Sequence, residues 1–453
     1  MTEETDRSHY RHRAVPSGRL ARLAGFGKLA GGIAGSAIGE GARRFAVGER
    51  PSFDQLILTP GNAARLADRL AHLRGAAMKL GQMISMDAGD MLPPELSRIL
   101  AGLRDRADFM PPRQLERVLT EEWGADWRRN FRRFEPRPVA AASIGQVHRA
   151  LTRDGRTLAI KVQYPGVARS IDSDIDNVAT LLRVSGLLPK ELDIGPLLEA
   201  AKEQLHEEAD YRREGEQMTL YARRLAGDEG FIVPQLDEDL TRDRILAMSY
   251  EQGIPIERLE QEPQVLRDTV FERCVRLVAR ELFEFGVMQT DPNFANFLYR
   301  HGEEGASGQI VLLDFGATRP VAPDIAVAYR RLLEAGLDAD ADRIKSEAIA
   351  AGFMSPAVVE RHPERVDRMI SIIVGEMSED APFNFGDRSF VPLLRDEGME
   401  IAKDRATWHL PPAETLFVQR KVSGTALLGA RLAARVNVRR IVEETLRPGD
   451  SSD

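Results

Sequence analysis

The sequence predicts an α+β chain in two lobes, a small strand-bearing lobe followed by a larger helical one, with a helical extension ahead of both. Three observations carry this. Thr59 to Met86 repeats apolar residues at helical steps; residues 140–162 read as two strands around an Asp-Gly turn; beyond Arg319 the pattern is helical almost to the end. The expected organisation is a flexible or membrane-contacting leader over 1–50, a helical extension over 51–130, the small lobe over 131–252 and the helical lobe over 253–453.

Bulk properties narrow the class. The 453 residues are 43% apolar and 29% charged, a globular composition with material for a large core. A net charge of -8 argues against nucleic acid as principal partner, because phosphate backbones call for a basic surface. The single cysteine, Cys274, excludes an intramolecular disulfide and sits in a helical pattern as a buried structural thiol. An acidic start lacks the charge and apolar core of a secretory signal, so export is not expected and a cytosolic setting is.

Residues 1–17 are polar. From Leu20 to Ala46, Gly31, Gly35 and Gly39 recur every four residues between basic side chains. That is either a smooth helix face for a close neighbour or membrane surface, or a flexible leader, since glycine disfavours helix. In the next helix Leu66, Leu70, Leu73, Met78, Leu80 and Met83 mark one face, and Lys79, Gly81 and Gln82 lie within it. Lys79 and Gln82, three apart, share a face, with a solvated role as the plain reading. Short helices from Pro93 to Trp127 are separated at Met110-Pro111-Pro112.

Ala140 to Val147 leads through a strand and the Gly155 turn into a returning strand, Thr157 to Val162, that carries Lys161. Pro196 to Arg223 predicts one long amphipathic helix bearing an acid run, Glu207-Glu208-Ala209-Asp210 and on to Glu214. Phe231 to Pro234 and Arg244 to Tyr250 read as two more strands that complete the small sheet, with a turn out at Glu251-Gln252-Gly253. A helix from Val265 to Phe285 then runs into Gly286, Gln289, Thr290 and Asp291. A hairpin, Phe297 to Tyr299 with Ile310 to Leu313, ends at Asp314. The remaining chain is helical, interrupted at Pro382–Asp387 and Pro411-Pro412. Val422 to Val436 contains Arg431 and Arg435 and is not a membrane span.

The order of polar residues matches phosphoryl-transfer chemistry. Asp291-Pro-Asn-Phe-Ala-Asn296 has the Asp-x-x-x-x-Asn spacing of a kinase catalytic loop, and Asp314-Phe315-Gly316 follows at a strand end. Such a site needs a lysine on the phosphates, oxygen-liganded Mg2+ and an acid near the attacking oxygen. Lys161 would serve the α and β phosphates of ATP or ADP, Asn296 and Asp314 the metal, and Asp291 the nucleophile. Each alone has an ordinary reading as a turn or strand-end residue; together, in this order, they point to one site.

In that register Ala140, Ala141, Ala142, Ser143, Gly145 and Val147 form the phosphate-covering loop. Ala140 and Ala142 stand where glycines are usual, so the phosphates are expected to be held differently. Lys161 needs an acid partner, and Glu208, Asp210 and Glu214 are all available. Met248 to Gly253 would line the adenine pocket by register alone. Gln289-Thr290 replaces the usual His-Arg, and no peptide-platform anchor follows Gly316, so a peptide substrate is disfavoured.

Five motifs together resemble the UbiB family of atypical kinases, the branch that includes the ADCK proteins of coenzyme Q biosynthesis. They are Lys79-Leu-Gly81-Gln82, Ala140-Ala-Ala-Ser143, Glu208-Ala-Asp210, Gln289-Thr-Asp291-Pro-Asn-x-x-Asn296 and Leu313-Asp-Phe-Gly-Ala-Thr-Arg319, spread over residues 55–440. The resemblance implies a two-lobed protein-kinase-like fold in which Lys161 pairs with Glu214, while Lys79 and Gln82 fold across the site beside Glu208 and Asp210 and block a protein substrate. It implies an ATP-hydrolysing activity supporting ubiquinone or isoprenoid-lipid biosynthesis, with an isoprenoid or quinone-type lipid and other biosynthesis proteins as partners. A prenyl-lipid or small-molecule phosphotransferase, and a nucleotide-binding scaffold, are the alternatives. The chain departs from the family in having neither a presequence followed by a span nor paired C-terminal spans. Residues 20–46 are therefore the expected membrane contact of a cytoplasmic protein peripheral on the inner membrane.

Overall fold

The structure, a computed structural model, describes residues 109–184, 195–303, 308–377, 379–407 and 412–447. The expected leader, most of the helical extension, and Lys79 and Gln82 with it, lie outside the described residues. The chain divides into two units: one runs to Thr219 and takes in Gln235–Tyr250, and the other holds Leu220–Pro234 and the chain from Glu251 onward.

In the first unit, α1 (Pro112–Trp123) starts on a proline whose φ is already helical. It buries Leu115, Val118 and Leu119, spaced to form one stripe. The strands are β1 (Phe131–Phe134), β2 (Ala140–Ala141), β3 (Gly145–Thr152) and β4 (Thr157–Gln163), the last two joined through Gly155 at φ 95°. Helices α2 (Ile171–Val184), α3 (Gly195–Glu208) and α4 (Tyr211–Arg224) follow. After β5 (Phe231–Ile232), which belongs to the second unit, β6 (Ile245–Ser249) returns to the first. The sheet is antiparallel in the order β1-β3-β4-β6, with β2 also on β3.

Strand alternation gives this sheet two different faces. Leu158, Ile160 and Val162 of β4 join Leu115, Val118, Leu119, Trp127 and Phe131 in one core. Each such side chain contributes about 1.5–3 kcal/mol by leaving water. Lys161 has the opposite parity and faces away from that core.

Two expectations are corrected here. The helix read as Pro196 to Arg223 is two helices, because Asp210 accepts the Arg213 backbone N–H at 3.0 Å and caps a new one. Phe231–Pro234 does not join the small sheet. The free edge of β6 is already taken by Gln235 and Asp237, whose backbones bond Ser249 and Ala247 at 2.8 and 2.9 Å. Phe231 and Ile232 instead pair, in parallel, with Ile310 and Val311.

The second unit contains β7 (Ile254–Pro255) and α5 (Gln264–Arg280), which passes into a π-helical turn at Glu281–Phe285. Strands β8 (Val287–Gln289), β9 (Phe297–Arg300), β10 (Gln309–Leu312) and β11 (Thr318–Pro320) follow. They form a β5-β10-β9-β7 sheet and a separate β8–β11 pair. The expected hairpin is present, with Leu298 opposite Val311.

Helices α6 (Pro323–Leu337), α7 (Ala341–Ala350), α8 (Pro356–Arg361), α9 (Pro363–Met377), α10 (Phe390–Ala402), α11 (Ala413–Leu432) and α12 (Val438–Leu446) complete the unit. At Gly429 α11 meets the Phe271 ring of α5 so closely that a Cβ there would collide with it. Cys274 is buried as expected, and burial pushes its thiol up to about 12, so it stays protonated and unreactive. Among the described residues no helix is long and apolar enough to cross a membrane.

Candidate functional site

In the first unit the site is built on one row of the sheet. Ala140 stands opposite Val147, Val147 opposite Lys161, and Lys161 opposite Leu246. Directly paired residues share a face, so Ala140, Val147 and Lys161 point the same way. Ala159, two before Lys161, lies on that face too, and so does its partner Met248, which is buried.

Lys161 Nζ meets Glu214 Oε1 at 2.8 Å and Oε2 at 2.9 Å. Both side chains are buried, Lys161 to 7% and Glu214 to 1% exposure, so each is the neutralising partner the other needs in a low dielectric. The pairing that the resemblance implies is formed. The Tyr211 ring adds its π face 5.1 Å from Nζ.

The other two acids have different work. Glu208 Oε2 accepts the Ser143 hydroxyl at 2.7 Å, and Asp210 caps α4. The helix break at Ala209 is itself held, since the Gln163 amide donates to the Ala209 carbonyl at 2.6 Å. Ala142 closes the loop by donating its N–H to the Gly145 carbonyl at 2.9 Å. Gly145 is needed for packing: a Cβ there would lie 2.5 Å from the Val162 carbonyl oxygen and 2.8 Å from the Tyr211 hydroxyl.

Behind the loop, the Gln146 side-chain Oε1 accepts the Met110 N–H at 2.8 Å, while its Nε2 lies 2.9 Å from His148 Nε2. His148 Nδ1 lies 2.8 Å from the Glu135 carbonyl, so Nδ1 carries the proton and Nε2 accepts. Burial lowers the ring to about 4, outweighing that carbonyl, and keeps it neutral.

In the second unit Asp291 and Asn296 are joined, the Asn296 amide donating to Asp291 Oδ2 at 3.2 Å. The Asn296 carbonyl in turn accepts the Leu313 N–H at 2.9 Å, tying this turn to the strand before Asp314. Asp314 Oδ1 accepts the Gly316 N–H at 3.0 Å, a tight turn that leaves Phe315 buried against Tyr221, ring centroids 5.1 Å apart. Thr290 anchors the same turn from the other side, with N–H and hydroxyl both donating to the Ala317 carbonyl at 3.0 and 2.8 Å.

Asn296 and Asp314 line one small cavity, of roughly a water's size, together with Glu281, Gln289 and Lys421. The donors suit Mg2+: a carboxylate and a carboxamide oxygen are hard ligands, and committing the Asn296 amide nitrogen to Asp291 leaves its oxygen as the ligand atom.

Sequence reasoning missed the polar group beneath this turn. Glu281, fully buried, accepts the Tyr221 hydroxyl at 2.7 Å and the Gln289 N–H at 3.2 Å through Oε1. Its Oε2 lies 3.3 Å from Lys421 Nζ. Burial, with the Glu281 charge beside it, pushes the Tyr221 hydroxyl well above its ordinary range, so it remains a donor. The only signals in the sequence were an acid and a lysine inside apolar helical faces, 140 positions apart.

Residues 102–348 match the family described as the ABC1 atypical kinase-like domain. Over 448 residues the chain is 38% identical to the Rattus norvegicus protein named "Atypical kinase COQ8B, mitochondrial", a match over 97% of this chain and 82% of that one. It is 35% identical to the Saccharomyces cerevisiae "Atypical kinase COQ8, mitochondrial", covering 98% of this chain and 87% of the relative. With the Caenorhabditis elegans "Atypical kinase coq-8, mitochondrial" the identity is 36% over 94% of this chain, which spans 57% of that longer relative. Among solved structures, Rv3197 from Mycobacterium tuberculosis, determined with erythromycin, superposes with a TM-score of 0.60 at 24% identity, covering 86% of this chain and 96% of that one; this likeness concerns the fold alone. The family match takes in Lys161, Asp291 and Asp314 and more than half of the sequence, and the chain belongs to the ABC1 atypical kinase-like family, the one its motifs resemble as UbiB.

Proposed function

We propose that this protein binds Mg-ATP and hydrolyses it in support of ubiquinone or isoprenoid-lipid biosynthesis, working as a peripheral protein at a membrane surface. The observation that carries the reading is the buried, doubly bonded Lys161–Glu214 pair. A lysine fixed this way holds its ammonium charge in one place, where it would neutralise the α and β phosphates. Ser143, tethered to Glu208, holds the Ala140–Gly145 loop over the phosphates, and Val147 and Met248 present apolar surface to the base.

Asp291 orients the attacking oxygen and accepts its proton, steadied by the Asn296 amide. Asn296 and Asp314 would hold Mg2+, which when bound neutralises charge on the transferring phosphate. Lys79 and Gln82, by family resemblance, screen the site from protein substrates. The lipid partner and the other biosynthetic proteins follow from the same resemblance.

The test is phosphate release from Mg-ATP by the purified protein, with and without anionic vesicles and a phenolic quinone-precursor mimic, beside Asp314→Asn. Turnover that rises with vesicles and is lost in the variant supports the reading. Tight nucleotide binding without turnover would replace it with a scaffold, and a labelled phospho-product with a phosphotransferase.

A further inference from the structure

The Glu281–Lys421 pair reaches, directly or through Tyr221, residues close in sequence to each of Asp291, Asn296 and Asp314. Lys421 Nζ donates to the Gln289 side-chain oxygen at 3.4 Å, and Gln289 lies two residues before Asp291. The same ammonium stands 5.6 Å from the centre of the Phe297 ring, the residue after Asn296. Glu281 holds the Tyr221 hydroxyl, and the Tyr221 ring packs on Phe315, the residue after Asp314. Lys421 and Glu281 are 4% and 0% exposed.

Two features show that this contact is built into the fold. The Glu281 carboxylate springs from the π-helical turn, where one extra residue per turn re-aims side chains; such turns recur at functional sites. Three residues on from Lys421, and so on the same face of α11, Gly424 lies against Pro292; a Cβ there would collide with the proline ring. Helix α11 thus meets the Asp291–Asn296 turn by bare backbone at Pro292, and its flanking residues Gln289 and Phe297 through the Lys421 ammonium. The cavity that holds Asn296 and Asp314 is closed by Lys421, Glu281 and Gln289, and the buried Gln289 Nε2 has no hydrogen-bond partner among the described residues.

We propose that Lys421 is a positioning residue: through Gln289 and Glu281 it sets the register of Asp291 and Asn296 against Asp314, with one internal water bridging Gln289 Nε2 to the metal-binding oxygens. It acts where Gln289-Thr290 stands in place of the usual His-Arg before Asp291. The proposal rests on the phosphoryl-transfer reading above.

The test compares Lys421→Arg and the charge-neutral double variant Lys421→Met/Glu281→Gln with the wild type; the double variant leaves no buried charge and guards against simple misfolding. Three quantities are read on protein with a two-state melt: hydrogen exchange of the 287–298 amides in the nucleotide-free protein, ADP affinity as a function of Mg2+, and kcat with the KM for Mg2+. Expected are faster exchange over 287–298 and a Mg2+ requirement raised about 10- to 100-fold, the range for residues that orient metal ligands, with Mg2+-free nucleotide affinity unchanged.

Unchanged exchange and an unchanged Mg2+ requirement in the double variant overturn the proposal, as does Mg2+-independent nucleotide binding by the wild type. If the wild type binds Mg-ADP but does not turn over ATP, hydrolysis fails while the exchange and Mg2+ arms still decide the role of Lys421.

Discussion

The Ser143 hydroxyl donates to the Glu208 carboxylate at 2.7 Å, fastening the tip of the β2–β3 hairpin to the end of α3. Sixty-five residues separate the two, and both belong to short motifs that carry the family resemblance. In a glycine-rich loop the backbone itself would wrap the phosphates; here Ala140 and Ala142 add methyl groups, and an outside tether sets the loop's position. A hydrogen bond to a charged acceptor contributes about 1.5–3 kcal/mol when buried, and Ser143 is only half-buried. Ser143→Ala is therefore expected to lower stability by about 1–2 kcal/mol in denaturant melts and to shift nucleotide affinity, while Ser143→Thr retains both.

The Lys161–Glu214 pair is buried on both sides, so breaking it from one side strands a charge. Lys161→Met and Glu214→Leu should each cost about 3–5 kcal/mol, and the double variant should recover most of that loss, because no charge remains to be solvated. Chemical denaturation of the four proteins measures the cycle. Additive losses would mean that the two groups do not depend on each other.

His148 gives the small sheet a pH dependence of definite sign. Its folded value, about 4, lies below the ordinary 6.5, so between those pH values the unfolded chain binds more protons than the folded one. Stability is therefore full above pH 6.5 and falls as pH drops toward 4, by about 3 kcal/mol for this group. Melting curves of wild type and His148→Gln across pH 4–7 check it: the variant's curve should be flatter.

Cys274 should resist alkylation by iodoacetamide at pH 8 in the folded protein and react at once in denaturant. Its thiol is buried on α5 and held protonated. Rapid labelling without denaturant would show that the core around α5 opens.

Local pattern made much of this fold readable. The β3–β4 turn, Lys161, the hairpin before Asp314 and Cys274 as a core residue all follow from short-range alternation and turn chemistry. The break at Asp210 was not readable from periodicity: the apolar spacing continues through it, and the second helix starts where the Asp210 side chain accepts the Arg213 N–H. Phe231–Ile232 was recognisable as a strand, but its sheet was settled by competition for the β6 edge, which is a tertiary matter. Glu281 and Lys421 read as ordinary helix charges because their meaning lies in each other. From spacing alone Glu214 was one acid among several; the family resemblance singled it out, and in the fold Glu208 and Asp210 have other partners.

The measurement that tests the central claim most directly is calorimetric titration of Mg-ADP into the wild type and into the Lys161→Met/Glu214→Leu double variant, both first shown to be folded. If Lys161 carries the phosphates, the double variant binds more than about tenfold more weakly, the loss of a charge-assisted contact to an anion. Equal affinity in the two proteins would contradict the account, leaving Lys161–Glu214 as a core ion pair with no part in nucleotide chemistry.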